Sequence, residues 1–244
     1  MQTLSEKLRI LWISFWTIFN TCLLFIPITL AALLSSTGNL AFSLSKIWAW
    51  LLLKVTYVRP EIKGKEKIRK GQSYIIITNH QSQYDILALV TMLGIQFRWV
   101  IKNELRKAPL FGYALYASRN IFIDRSDPKQ AISSIQKGMD RLPDGVSVLF
   151  FAEGTRSPDG KIQKFKRGGF VTAIVSGLPI LPVTVNGGRK ILPKKSLAFK
   201  PGPIEVVVGE PIETQGYSQD RVGELLENTR DVIISQFKPD YPES

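Results

Sequence analysis

The chain has 244 residues, enough for one sizeable core, and carries 32 Lys and Arg against 20 Asp and Glu, a formal net charge of +12. Its one cysteine, Cys22, excludes an intrachain disulfide, and one cysteine with one histidine excludes a zinc-type cluster. The cationic excess points to anionic partners: nucleic acid, an acidic membrane leaflet, phosphorylated substrates and coenzyme A all qualify.

The first element is apolar. From Ile10 to Leu34 there is no Asp, Glu, Lys or Arg, a run of 25 residues that on length alone can span a bilayer, which takes about 20. It is too long and too aromatic for a signal-peptide core. Trp12, Phe15, Trp16 and Phe19 recur at helical spacing and make one aromatic face, and Pro27 is expected to kink or end the helix. A second apolar piece, residues 40–58, repeats Leu44, Ile47, Trp48, Leu51 and Val55 at steps of three and four, interrupted by Lys46 and Lys54. With Trp48, Trp50 and the lysines as anchors, it has the profile of a helix lying in a membrane interface. A single spanning helix would put Lys7 and Arg9 across the membrane from the basic body, and a spanning hairpin would carry Lys46 into hydrocarbon. A two-helix hairpin dipping into one leaflet avoids both and is the preferred reading. Residues 1–58 are therefore expected to form a membrane-interface motif and residues 59–244 an α/β domain. A soluble core role for both helices is the alternative.

Beyond Arg59-Pro60 short β-rich runs alternate with helical ones. Strands are expected at residues 74–78, 97–101, 120–123, 146–151, 180–185 and 204–208; helices at 86–93, 109–117, 129–142, 169–176 and 221–237. Alternation of this kind predicts an α/β fold, a mostly parallel central sheet flanked by helices. In such sheets binding residues gather at the carboxyl ends of the strands.

Three polar clusters fall at predicted strand ends. His80, the only histidine, stands in Asn79-His80-Gln81-Ser82-Gln83-Tyr84-Asp85, so any imidazole base chemistry must happen there. Read singly, His80 is also compatible with a satisfied core residue, and Asp85 with a first-turn helix carboxylate. Asp124-Arg125 follows a second strand. Glu153-Gly154-Thr155-Arg156-Ser157 follows a third, where Gly154 permits close approach, the hydroxyls can donate, and the Arg156 fork matches phosphate oxygens. Lys161, Lys164, Lys166 and Arg167 crowd the same approach; Lys161 and Lys164 individually read as a solvated basic face.

Asn79-His80-Gln81-Ser82-x-x-Asp85, Ile121-Phe122-Ile123-Asp124-Arg125, Phe151-Ala152-Glu153-Gly154-Thr155-Arg156-Ser157 and Leu178-Pro179-Ile180-Leu181-Pro182-Val183, in this order, resemble the four blocks of the glycerolipid acyltransferase family. The match is nearest to the bacterial 1-acyl-sn-glycerol-3-phosphate acyltransferases and covers residues 61–209. One departure stands out: Ala152 replaces a proline common in the family, which puts loop rigidity in doubt but removes no reacting group. The resemblance implies a membrane-associated enzyme on the cytoplasmic face of the cell membrane. It would move a fatty acyl group from acyl-CoA or acyl carrier protein to lysophosphatidic acid, giving phosphatidic acid. It implies no tightly bound cofactor, no metal and no nucleic-acid partner. On this chain His80 would be the general base and Asp85 its orienting partner. Arg156, with Arg125 second, would hold the acceptor phosphate, and Gly154 and Thr155 would line the acceptor site. Glu153 would orient Arg156 or meet a glycerol hydroxyl, and Lys166 and Arg167 would be further phosphate or donor contacts. Backbone N–H groups of the His80 turn are candidates to stabilise the oxyanion.

Other readings stay open at this point. Ser82 is close enough in sequence to serve as a covalent nucleophile, which Cys22 is poorly placed to do. Glycerol-3-phosphate or another lysolipid could replace the acceptor. A non-catalytic binder of anionic lipid would use the charge alone and would not need the His80–Asp85 pair.

Overall fold

The computed structural model describes residues 4–108 and 111–242. A mixed sheet of seven strands runs in the order β1 (Arg59–Lys63), β7 (Pro203–Val208), β6 (Ile180–Asn186), β2 (Ile75–Thr78), β5 (Ser147–Phe151), β3 (Phe97–Lys102) and β4 (Ile121–Ile123). All neighbouring pairs are parallel except β6 with β7. Five adjacent strands, β6, β2, β5, β3 and β4, therefore end on the same edge. β1, whose Arg-Pro start and alternating exposure hide it in the sequence, was not expected; it adds the far edge by pairing with β7.

Helices cover both faces, as a parallel sheet requires. On one side α2 (Asn39–Val55) and α3 (Tyr84–Met92) pack over Ile76, Leu149 and Leu181. On the other, α5 (Pro128–Met139), α6 (Gly168–Ser176) and α8 (Val222–Gln236) pack over Ile75, Ile77 and Val148. Ile75, Ile76 and Ile77 thus alternate between two cores, and every residue of β2 is buried. Asp127 caps α5 by accepting the Gln130 N–H at 3.0 Å, with Pro128 opening the helix. α4 is Phe111–Ala117 and α7 is Gly188–Ile191; residues 109 and 110, where a helix was expected to begin, lie outside the described residues.

α1 spans Leu4–Leu34 and lies antiparallel against α2, since Trp12 Nε1 donates to the Val55 carbonyl at 2.8 Å and Trp48 Nε1 to Thr21 Oγ1 at 3.1 Å. Of the two outcomes expected at Pro27, a kink or an end, the structure excludes the end: α1 continues through it for seven more residues, Ile28–Leu34. Pro27 deprives the Leu23 carbonyl of its intrahelical donor, and packing against α2 carries the helix on. Its aromatic face forms as spaced, Trp12, Phe15, Trp16 and Phe19 making edge and stacked contacts.

The two apolar helices have different fates. α2 turns Phe42, Ala49, Leu52 and Leu53 into the domain core, while its Ala41 packs with Ala31 and Ala32 of α1, so it is partly the soluble-core helix of the alternative reading. α1 is mostly exposed, and its span Lys7–Leu34 is long and apolar enough to cross a membrane. The turn between them is held to the sheet by Arg98, a buried guanidinium on β3 that donates from Nη2 to the Thr37 carbonyl at 2.8 Å and to Asn39 Oδ1 at 2.6 Å. Burial without a carboxylate partner lowers its pKa to about 10.

Candidate active site

His80 and Asp85 sit where β2 ends and α3 begins. His80 Nδ1 lies 2.9 Å from Asp85 Oδ2, and their side chains are 12% and 1% exposed. Oδ2 also accepts the Gln81 N–H at 2.6 Å and the Ser82 N–H at 2.8 Å. A carboxylate oxygen can only accept, so in this bond Nδ1 is the donor, and in the neutral ring Nε2 keeps the lone pair. Asp85 is thus both a first-turn carboxylate of α3 and the partner of the imidazole. The ring itself is stacked on Phe151 at 3.6 Å between centroids and 14° between planes, and Phe151 stacks in turn on Trp99. This aromatic support comes from β5 and β3, and the apolar text of those strands gave no sign of it.

Glu153 lies beneath the same turn and is buried. Its Oε1 accepts the His80 N–H at 2.7 Å and its Oε2 the Gln163 N–H at 2.9 Å. Both oxygens are therefore spent on backbone, and no hydrogen bond or ion pair joins Glu153 to Arg156 among the described residues. Burial pushes the Glu153 carboxyl up to about 7, against the two amide bonds that favour its charged form. The amides of His80, Gln81 and Ser82 are all donated to Glu153 and Asp85, so these three are not free as oxyanion donors. The Ser82 hydroxyl, fully buried, donates to the Leu192 carbonyl at 2.9 Å rather than to His80. Cys22 is exposed on α1.

The loop after β5 approaches the imidazole through backbone, the Ser157 N–H donating to the His80 carbonyl at 2.8 Å. Gly154 turns it with φ +72°, a left-handed conformation suited to glycine. Arg125, arriving from the end of β4, donates Nη1 to the Gly154 carbonyl, and burial lowers its pKa. Lys194, which no motif marked, donates Nζ to the Arg156 carbonyl at 2.6 Å and to Thr155 Oγ1 at 3.1 Å. The loop is thereby clamped from two sides by cations, while the Arg156 guanidinium has no partner among the described residues. Lys166 is exposed beside Gly154, its Cγ 3.6 Å from where a Cβ would stand, and Arg167 precedes α6. The departure at Ala152 has a physical counterpart: its N–H donates to the Thr78 carbonyl at 2.9 Å, extending the β2–β5 ladder in a way proline cannot.

A further residue was invisible in the sequence. Gly188, just past β6, packs against Asp85 so closely that a Cβ there would overlap Oδ1. Oδ1 has no hydrogen-bond partner among the described residues, so this carboxylate is positioned by its other oxygen and by the bare backbone of Gly188.

An imidazole with a free Nε2, backed by a buried carboxylate at the carboxyl edge of a parallel sheet, defines an enzyme site built for moving a proton. The sequence pattern of the family described as Acyltransferase matches residues 59–186, from β1 to the end of β6. The 1-acyl-sn-glycerol-3-phosphate acyltransferase of Pseudomonas aeruginosa is 38% identical over 177 residues, 72% of this chain and 68% of that protein. The human 1-acyl-sn-glycerol-3-phosphate acyltransferase alpha is 32% identical over 197 residues, 79% and 70%. The fold is shared with the crystal structure of the 1-acyl-sn-glycerophosphate (LPA) acyltransferase PlsC from Thermotoga maritima, at TM-score 0.79 and 24% identity over 93% of this chain and 94% of that one. The chain belongs to the acyltransferase family.

Proposed function

We propose that this enzyme transfers a fatty acyl group from a thioester of coenzyme A or acyl carrier protein to the sn-2 hydroxyl of lysophosphatidic acid, forming phosphatidic acid. The observation that carries the mechanism is the His80 Nδ1–Asp85 Oδ2 bond, which leaves Nε2 free to accept a proton. Nε2 takes the hydroxyl proton as the oxygen attacks the thioester carbon. The tetrahedral adduct then expels sulfur, and the imidazolium returns the proton to the thiolate. Asp85 favours the charged ring throughout. No covalent acyl-enzyme is needed, in keeping with the engaged Ser82 hydroxyl.

The acceptor phosphate is assigned to Arg156, whose guanidinium is uncommitted, with Arg125 at the neck of the same loop. Glu153 acts by fixing the His80 backbone. Residues 1–58 form the membrane-interface motif and residues 59–244 the catalytic domain. The exposed α1 face lies in the cytoplasmic leaflet, where a +12 surface is attracted to anionic lipid.

The test is transfer of labelled acyl group to lysophosphatidate in vesicles by purified protein. His80→Ala is expected to lose about 10²- to 10⁴-fold in kcat; activity surviving that change would refute the base. Equal transfer to glycerol-3-phosphate would overturn the acceptor assignment, and a burst of free thiol without acceptor would overturn direct transfer.

A further inference from the structure

A concave, cationic cavity of about 700 Å³ lies beside the site. Lys161, Arg189, Lys190 and Lys200 line it, with Pro193, Ala198 and Pro239 as apolar wall and Asp159 and Asp240 as its carboxylates. None of the four cations is ion-paired to a carboxylate among the described residues. Arg189 and Lys190 bond only backbone carbonyls, those of Pro158, and of Asp240 and Pro242. Asp159 takes the Ser157 hydroxyl at 3.0 Å, the Lys161 N–H at 3.0 Å and Gln163 Nε2 at 2.8 Å, and offsets part of the Lys161 charge. Four cations against two carboxylates leave the cavity with a net positive charge.

Its walls are linked to the reacting pair through one neighbouring residue on each of two sides. Gln81, next to His80, donates Nε2 to the Gly160 carbonyl at 2.8 Å. Arg189 follows Gly188, the residue seated on Asp85. Lys161, which alone reads as a solvated face, becomes one corner of this cluster once the loop folds back against α7.

We propose that this cavity holds the phosphate-bearing nucleotide head of coenzyme A, the pantetheine arm reaching from it to the thioester at His80. The inference rests on the reading of the chain as a thioester-dependent acyltransferase. A volume of this size lies in the range of small-ligand sites, roughly 300–1,000 Å³. Arginine and lysine ends suit phosphate oxygens, and the proline and alanine surface suits the face of an adenine ring. A carrier protein would instead need a broad patch of about 800 Å² on each partner, which a concave cavity does not offer.

The experiment uses the full chain in detergent and the double variant Lys161→Glu, Lys200→Glu, both of whose side chains are exposed. Unacylated coenzyme A is titrated into each calorimetrically, with no acceptor present. Acyl-CoA, acyl-pantetheine and acyl carrier protein are then compared as donors. Binding of coenzyme A is expected to weaken tenfold or more in the variant, with the ratio of kcat/KM for acyl-CoA over acyl-pantetheine falling as far. Equal loss with acyl-pantetheine, unchanged coenzyme A binding, a wild-type chain that binds none, or a loss confined to the carrier-protein donor would each overturn the proposal. The neutral pair Lys161→Gln, Lys200→Gln should shift the same ratio in the same direction by less, and no shift there counts against the site. Titration needs no acceptor, so a wrong acceptor leaves this result standing. Transfer to lysophosphatidate with unaltered coenzyme A binding in the variant would sink the cavity alone.

Discussion

The outer face of α1 and the end of β2 invert the same rule in opposite senses. Along α1, Leu11, Phe15, Ile18, Phe19, Leu23 and Ile26 are exposed, whereas Asn79, Gln81, Ser82, Asp85 and Glu153 are buried at the strand end. Ordinary folding drives apolar groups inward and leaves polar ones in water. The polar cluster tolerates burial because nearly every group is satisfied: Asn79 exchanges two hydrogen bonds with Val185, Gln81 bonds Gly160, and the two carboxylates take up five N–H donors between them. No such internal compensation exists for the α1 face among the described residues. The strand end is closed upon itself, and the outer face of α1 is open.

Apart from loss of the base itself, the largest expected effect strikes the closed end. Gly188→Ala places a methyl group against Asp85 Oδ1 and pushes the carboxylate off the imidazole. It should cut kcat about 10- to 100-fold, as small misplacements of catalytic groups do. KM for lysophosphatidate should hold, and steady-state kinetics in vesicles separate the two; unchanged kcat would mean the contact does not position Asp85.

At the open end, Phe15→Ser with Phe19→Ser should weaken partition into anionic vesicles by tenfold or more, since at about 25 cal/mol per Å² each ~55 Å² of apolar surface withdrawn from the bilayer is worth a factor of ten. Thermal unfolding in detergent should barely move, because these rings cover no core. Flotation with vesicles measures the first, and a large drop in Tm would show that the α1 face packs on protein instead.

The smallest effect is on pH. Glu153 is raised from 4.5 to about 7, so the native state holds its proton more tightly than the unfolded chain. The stability from that group is fully present below its ordinary pKa and is lost as pH rises toward about 7, a slope of at most about 1.4 kcal/mol per pH unit. Glu153→Gln should flatten that slope, read as the difference in denaturant midpoint between pH 4.5 and 8. A parallel pair of curves would place the titration elsewhere.

Much of the site was legible because its parts are local. His80 and Asp85 are five residues apart across one strand-to-helix turn, and Gly154, Thr155 and Arg156 form a single loop, so spacing alone brings them near the sheet edge. The contacts that fix them were not legible. Glu153 reaches the His80 amide across 73 positions, Lys194 reaches the Arg156 carbonyl across 38, and Gly188 carries no side chain to mark it. β1 escaped notice because an edge strand needs neither a long apolar run nor full burial.

By itself the sequence determined the alternation of strands and helices, the one imidazole available for base chemistry, and the apolar character of the first 58 residues, since propensity, composition and periodicity act over a few neighbours. Only the tertiary structure decided that α2 belongs to the core while α1 does not, that Glu153 serves backbone and not Arg156, and that the amides of the His80 turn are already taken. Those outcomes depend on which distant groups compete for the same hydrogen bonds and the same buried surface, and that competition exists only once the sheet has brought its strand ends together.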